Sequence, residues 1–188
     1  LDVGCATGFP LLELAQMLGP ASLCAGIDPW ARALTRARRK VEALRLRNAH
    51  LTCGDGASMP FRDGSFDLIV SNLGLNNFAD ARAVLRECGR VANNGATIAI
   101  TTNPCGHMAE LYEEYRAVIA ERGTPDQMAR LNINEGHRIS ADSLLGLLAG
   151  AGCRDGSVVE DTISLRYLDG SAMLRHSFMV RGFLDQWR

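Results

Sequence analysis

Four short stretches of this chain set carboxylates, small residues and hydrogen-bonding groups at intervals that suit a nucleotide-like ligand. The first is Asp2-Val3-Gly4-Cys5-Ala6-Thr7-Gly8. Gly4 and Gly8 let the backbone turn tightly and approach a ligand closely. The helix start that follows is expected to offer free N–H groups to an anion. The second stretch is Asp28-Pro29-Trp30, beginning 20 residues after Gly8. A carboxylate at that interval can accept hydrogen bonds from both hydroxyls of a ribose. The third is Gly54-Asp55-Gly56-Ala57, where Asp55 can meet an adenine amino group and its small neighbours leave room for the ring. The fourth is Ser71-Asn72-Leu73, on the floor where a reacting group could sit. Each acid also has a plain structural use. Asp2 can tie down its turn, Asp28 can cap the helix that Pro29 opens, and Asp55 can shape a Gly-Asp-Gly turn. Three acids at successive strand ends favour a shared ligand over three unrelated uses.

The elements that would carry these stretches alternate. Leu11, Leu14, Ala15 and Leu18 repeat at helical spacing until Gly19-Pro20. Ala21–Ile27 reads as a strand ending at Asp28. A helix is expected from Pro29, with Trp30, Ala33, Leu34, Ala37, Val41 and Leu44 as its inner stripe. Strands are expected at 49–53, 66–71 and 96–101, and a helix over 79–92 that Asn93-Asn94-Gly95 stops. This order predicts an α/β fold: a Rossmann-like, doubly wound, mostly parallel sheet with helices on both faces. Continuous apolar strands agree, since both faces are covered. Beyond Pro104, helices are expected at 107–122, 125–131 and 140–151, then a strand over 157–168 and an amphipathic helix over 170–188. The expected organisation is one domain over 1–188. Residues 1–103 form its cofactor-binding half and 104–188 supply substrate-side helices, the late strand and the last helix. Only Leu1–Val3 precede the turn and no Met begins the chain, which predicts a fragment truncated at both ends, with an incomplete first strand and a missing last one.

Taken together, the four strand ends resemble those of class I S-adenosylmethionine-dependent methyltransferases over nearly the whole chain. That family's first motif is D-x-G-x-G-x-G, met here as Asp2 to Gly8 with Ala6 at the middle glycine. The departure is mild if Ala6 keeps an ordinary negative φ. The resemblance implies that Asp2 faces the methionine amino end and that Gly4, Cys5 and Gly8 pack against the cofactor. It also implies that Asp28 holds the ribose, that Trp30 lies against the adenine and that Asp55 binds the adenine. FDLIVSNLGLNNF matches the fourth strand motif, and LRECGRVANNGATIAITTN the helix and fifth strand. The chain looks most like the bacterial small-molecule branch, the relatives of ubiquinone and menaquinone C-methyltransferases. Asn76-Asn77 stands where many of those carry a histidine pair. The implied reaction is an in-line methyl transfer to a small-molecule acceptor, in which the protein mostly positions the reactants.

No catalytic base is assigned, because one is needed only if the acceptor must lose a proton. His107, after the fifth strand, is the candidate. His137 precedes a helix that Ser140 can cap, His176 falls on an apolar stripe with Met173, Val180 and Leu184, and His50 reads as structural. Cys5 reads as a small apolar residue rather than a nucleophile. The 188 residues are 47% apolar and 22% charged with a net charge of −1, so a dedicated nucleic-acid partner is not expected. Arg32, Arg36, Arg38, Arg39, Lys40, Arg45 and Arg47 read as the solvated face of one helix. No apolar run reaches membrane-spanning length. The six cysteines lack metal-ligand spacing, so no metal is expected and free thiols in a reducing cytoplasm are. Two rivals stay open. A nicotinamide-dependent oxidoreductase would share the sheet but predicts G-x-G-x-x-G and gives Asp55 no task. A non-catalytic domain could bind S-adenosylmethionine alone. RNA or protein methylation at an amino nitrogen is disfavoured by Ser71-Asn72-Leu73-Gly74 in place of an Asn-Pro-Pro-Tyr-like motif. Oligomeric state and the methylated atom are not legible.

Overall fold

Side chains alternate across a strand, and in β2 (Cys24–Asp28) that alternation sorts the helices onto two faces. Ala25 and Ile27 join a cluster with Val3, Ile69, Val84, Cys88 and Val91. Cys24 joins Cys5, Leu11, Leu12, Ala15, Leu34 and Ala49 on the other face. Burying each large aliphatic here stabilises the fold by roughly 1.5–3 kcal/mol. The computed structural model describes residues 1–182.

Two units make up the chain, Leu1–Asn103 with Ile139–Gly156, and Pro104–Arg138 with the chain from Ser157 onward. The first holds a five-stranded sheet in the order β3-β2-β1-β4-β5. Its strands are β1 (Asp2–Val3), β2, β3 (Ala49–Cys53), β4 (Phe66–Asn72) and β5 (Ala92–Thr101), and every pairing is parallel. The chain builds outward from β1 to β3, then reverses to β4 and β5, so the switch point lies between β1 and β4. This is the expected Rossmann-like doubly wound sheet. α1 (Leu11–Leu18), α2 (Ala31–Ala43), α3 (Ala81–Val91) and, later in the chain, α6 (Ala141–Gly150) complete the unit. Asp80 caps α3 by accepting from Ala83 N, and Ser140 caps α6 by accepting from Ser143 N.

Several expectations are corrected. β2 starts at Cys24 rather than Ala21, because Ala21 and Ser22 form a turn in which Ser22 N donates to Gly19 O. α2 begins at Ala31, so Pro29 lies ahead of its cap. Trp30 and Leu44, at 61% and 48% exposure, leave the inner stripe to Ala33, Leu34, Ala37 and Val41. Lys40 is not part of a solvated face, since its Nζ donates to Thr7 O at 2.8 Å. Arg45 and Arg47 lie beyond the end of α2. Asn93-Asn94-Gly95 does not lie between helix and strand but within β5. Ala92 pairs with Phe66 and Thr97 with Leu68, so the triplet bulges out of the ladder. Gly95 supplies φ +81 there, and Asn93 Nδ2 donates to Asp67 Oδ1.

The second unit joins α4 (Ala109–Arg122) to α5 (Pro125–Gly136) through Tyr112, Ile119 and Leu131. Thr124 and Gln127 exchange hydrogen bonds in a capping box at the start of α5, and Arg116 pairs with Glu135. The expected strand over 157–168 does not form, and Val159, Ile163 and Leu168 are 92%, 83% and 94% exposed. A strand needs a ladder partner, and the described residues of this unit contain none. The expected last helix is instead α7 (Gly170–Arg175) and α8 (Ser177–Gly182). They part at His176, whose backbone is extended at ψ 133. His176 is exposed, with its ring edge-on to Tyr167 at 5.5 Å, rather than on a packed stripe. Positions 183–188, including Leu184 and Trp187, lie outside the described residues.

Candidate active site

The C-terminal ends of β3, β2, β1 and β4 lie side by side, and a chain of hydrogen bonds ties their loops into one rim. Gly54 N donates to Asp28 O at 3.2 Å and joins the β3 end to β2. Asp28 Oδ2 accepts from Ala6 N at 2.9 Å and joins β2 to the glycine turn after β1. Ser71 Oγ donates to Val3 O at 2.8 Å and joins β1 to β4. Asn72 Oδ1 accepts from Thr101 Oγ1 at 2.7 Å and joins β4 to β5. The sixteen residues expected to line the site lie in β1, at the ends of β2 and β4, or in the loops that follow β1, β2, β3 and β4.

Asp2 sits between Gly26 of β2 and Val70 of β4, 1% exposed. Because Leu1 and Val3 face the α3 cluster, the alternation sends Asp2 to the other side, under the start of α1. Its Oδ2 accepts from Leu11 N at 3.1 Å, while its Oδ1 is buried with no partner. Burial outweighs the amide bond and pushes the carboxyl up to about 7. The first two N–H groups of α1 are therefore already taken, which corrects the expectation of a helix start with all its N–H groups free for an anion. Leu11 N is held by Asp2, and Leu12 N by Gly8 O. An acid fills the place where a dinucleotide would set its pyrophosphate.

The turn itself carries strain. Gly4 adopts φ +80, and a Cβ there would meet Phe78 at 3.4 Å. Ala6 adopts φ +41, so the residue at the middle-glycine position does lie in the left-handed region. The mild departure read from sequence is a costly one, about 1–2 kcal/mol for a residue with a Cβ. Asp28 Oδ2 and the Lys40 bond to Thr7 O hold the turn in place around it. Ala6→Gly is expected to raise unfolding stability by about 0.5–1 kcal/mol once the extra unfolded-state entropy of glycine is offset. Urea melts of the two proteins check this, and a less stable variant would mean that the turn is unstrained.

Asp28 is 8% exposed and uses both oxygens, since Oδ1 also accepts from Trp30 N at 2.8 Å. Trp30 stands exposed beside it. Asp55 is exposed, and its Oδ1 accepts from Ala57 N at 2.9 Å in an Asx turn. Cys5 is fully buried with its thiol pushed up to about 12 by burial, which suits packing and not attack. Leu73 adopts φ +56 with its N–H on Thr101 O. Asn76 and Asn77 brace this loop: Asn76 Nδ2 donates to Asn103 O and Asn77 Nδ2 to Leu73 O. His107 belongs to the second unit, in the turn ahead of α4. Burial, and after it the charge of Arg138, hold its imidazole below the ordinary value, in the neutral form that can accept a proton. His50 and His137 are exposed. Among the described residues no group of three His, Cys, Asp or Glu could hold a metal, and no helix is long and apolar enough to cross a membrane.

Three positions carry weight that sequence reasoning missed. Gly26 lets Cys5 and Leu11 come within 2.7 Å of where its Cβ would be; a lone glycine inside an apolar strand was the available signal. Lys40 reads as one more base in a basic helix until the fold brings Thr7 to it. Arg90 donates to Met59 O, Phe61 O, Asp63 and Glu87, and Glu87 accepts from Met59 N, so α3 holds down the loop that follows Asp55.

Residues 1–100 match the family model described as a methyltransferase domain. The chain is 35% identical over 98 residues to the demethylmenaquinone methyltransferase of Bacillus cereus (strain ATCC 10987 / NRS 248), covering 52% of this chain and 41% of that protein. It is 36% identical over 104 residues to the enzyme of the same name from Geobacillus stearothermophilus, covering 55% and 44%. The chain thus spans less than half the length of these curated relatives. A solved structure of an S-adenosylmethionine-dependent methyltransferase from Aquifex aeolicus superposes with a TM-score of 0.66 at 25% identity, covering 85% of this chain and 73% of that one.

Proposed function

The chain belongs to the methyltransferase domain family, and on that premise we propose that it binds S-adenosylmethionine at the β1/β4 switch point and methylates a small molecule. The observation that carries this reading is Asp2. A buried carboxylate with one orphaned oxygen, set at the start of α1, suits a cation and repels a phosphate. The methionine end of the cofactor brings an ammonium; a dinucleotide brings a pyrophosphate. The residues present fit the group. Asp2 Oδ1 would hold the ammonium, and the open φ of Gly4 brings backbone close. Asp28 would take the ribose hydroxyls, Trp30 would cover the adenine and Asp55 would accept from its amino group. Cys5, Ala6, Thr7 and Gly8 line the turn, Pro29 leads to Trp30, and Gly54, Gly56 and Ala57 leave space for the ring. Ser71, Asn72 and Leu73 form the floor.

When bound, the cofactor supplies a methyl group on a sulfonium, which an acceptor atom takes by in-line displacement. The chain's own share is to bind, orient and exclude water. His107 is the candidate proton acceptor for an acceptor atom that must be deprotonated. The near-neutral charge gives no reason for a nucleic-acid partner, and six free thiols fit a cytoplasmic location.

Calorimetric titration of the whole chain with S-adenosylhomocysteine and, separately, NAD tests the reading, with Asp28→Ala as control. Saturable binding of the first alone, weakened at least about tenfold by the substitution, is expected. NAD binding in its place would overturn it.

A further inference from the structure

Arg138 of the second unit is a buried cation that no acid among the described residues answers, and we propose that it binds a small oxyanion, a carboxylate or a phosphate group. Arg138 follows the C-cap of α5, is 8% exposed and has its Nε buried with no hydrogen-bond partner. No carboxylate among the described residues pairs with it, while Glu135 and Glu121 of the same unit are taken by Arg116 and Arg122. Its carbonyl accepts from the Cys105 thiol at 2.9 Å, which holds the Pro104–His107 turn against it. The imidazole of that turn, on half-buried His107, feels the guanidinium charge.

A guanidinium does not discharge at any ordinary pH. Burying it without a counter-ion therefore costs stability, and buried charges are as a rule paired. An external anion resolves the mismatch. Carboxylate and phosphate match the planar fork in geometry as well as charge. Arg138, Cys105 and His107 all belong to the second unit.

The test follows the four histidine imidazoles of the whole chain by NMR while benzoate or inorganic phosphate is added. His50, His137 and His176 are exposed and report non-specific effects. One of the two probes is expected to shift His107 saturably and to raise the pH at which it protonates, because the anion offsets the neighbouring positive charge. Which probe binds separates a carboxylate ligand from a phosphate one. In Arg138→Met the saturable shift disappears and Tm rises by about 2–4 °C, because an uncompensated charge has gone. Arg138→Lys keeps the charge but not the fork, folds, and binds the same probe at least about tenfold more weakly. The proposal is overturned if neither probe shifts His107 saturably in the wild-type chain, or if both variants bind as the wild type does. It is equally overturned if both lose Tm without any wild-type binding, which would make Arg138 a structural strut. S-adenosylhomocysteine titrated into the same samples reads the methyltransferase assignment separately, so either can fail alone.

Discussion

Replacing Asp2 with asparagine is expected to weaken S-adenosylhomocysteine binding about 100-fold while making the ligand-free chain more stable at neutral and alkaline pH. The loss corresponds to one charge-assisted hydrogen bond in a buried place. The gain follows from the carboxyl, which burial pushes up to about 7. Between its ordinary value and about 7, the folded chain holds a proton that the unfolded chain has released. That contribution to stability is complete below pH 4 and disappears as pH rises through 7. It is on the order of 4 kcal/mol at its largest. Wild-type chain without ligand should therefore lose stability from pH 4 to 8, and Asp2→Asn should flatten that slope. A bound ammonium favours the ionised carboxylate, so wild-type affinity should rise between pH 6 and 8, with a proton released on binding. Titrations in two buffers of different ionisation enthalpy read that proton directly. Unchanged affinity in the variant, with no buffer-dependent heat in the wild type, would reduce Asp2 to a strut under α1.

Gly26→Ala is expected to cost about 2–3 kcal/mol and to weaken the same ligand, although Gly26 touches no ligand itself. The new Cβ would lie 2.7 Å from both Cys5 Sγ and Leu11 Cδ2. Neither neighbour has room, since Cys5 is fully buried and Leu11 is 1% exposed. Overpacking of this kind displaces backbone, and here that backbone is the turn and the start of α1. Cys5→Ala in the same chain removes one of the two collisions and should recover part of the loss. Urea melts of the wild type, both single variants and the double variant give the coupling. A Gly26→Ala chain with wild-type stability would show that α1 is free to move off the sheet.

Local chemistry was enough for the elements whose signals are local. Apolar runs bounded by turn residues marked β3 and β4, and Ser140 opened α6, each because caps and period act within a few residues. Trp30 fits a core stripe by type, yet the chain is still turning there ahead of α2, with Trp30 N held by Asp28 Oδ1. Val158 to Leu168 has strand composition, but composition supplies no ladder partner. Asn93-Asn94-Gly95 has helix-stop chemistry, and the demand of β4 for a neighbour turned it into a bulge.

The sequence by itself determined the order of elements as far as α6, the strand ends that carry acids, and the family resemblance, because all three are written in adjacent residues. Tertiary structure alone decided how those acids are used. Asp2 acquires its raised proton affinity only by being closed in beneath α1, and Asp28 becomes the clasp of a strained turn only once Ala6 arrives beside it. Lys40 finds Thr7, and Arg90 finds the loop after Asp55, across 33 and 31 residues of chain. Burial and long-range hydrogen bonds depend on which segments meet, and no local pattern carries that information.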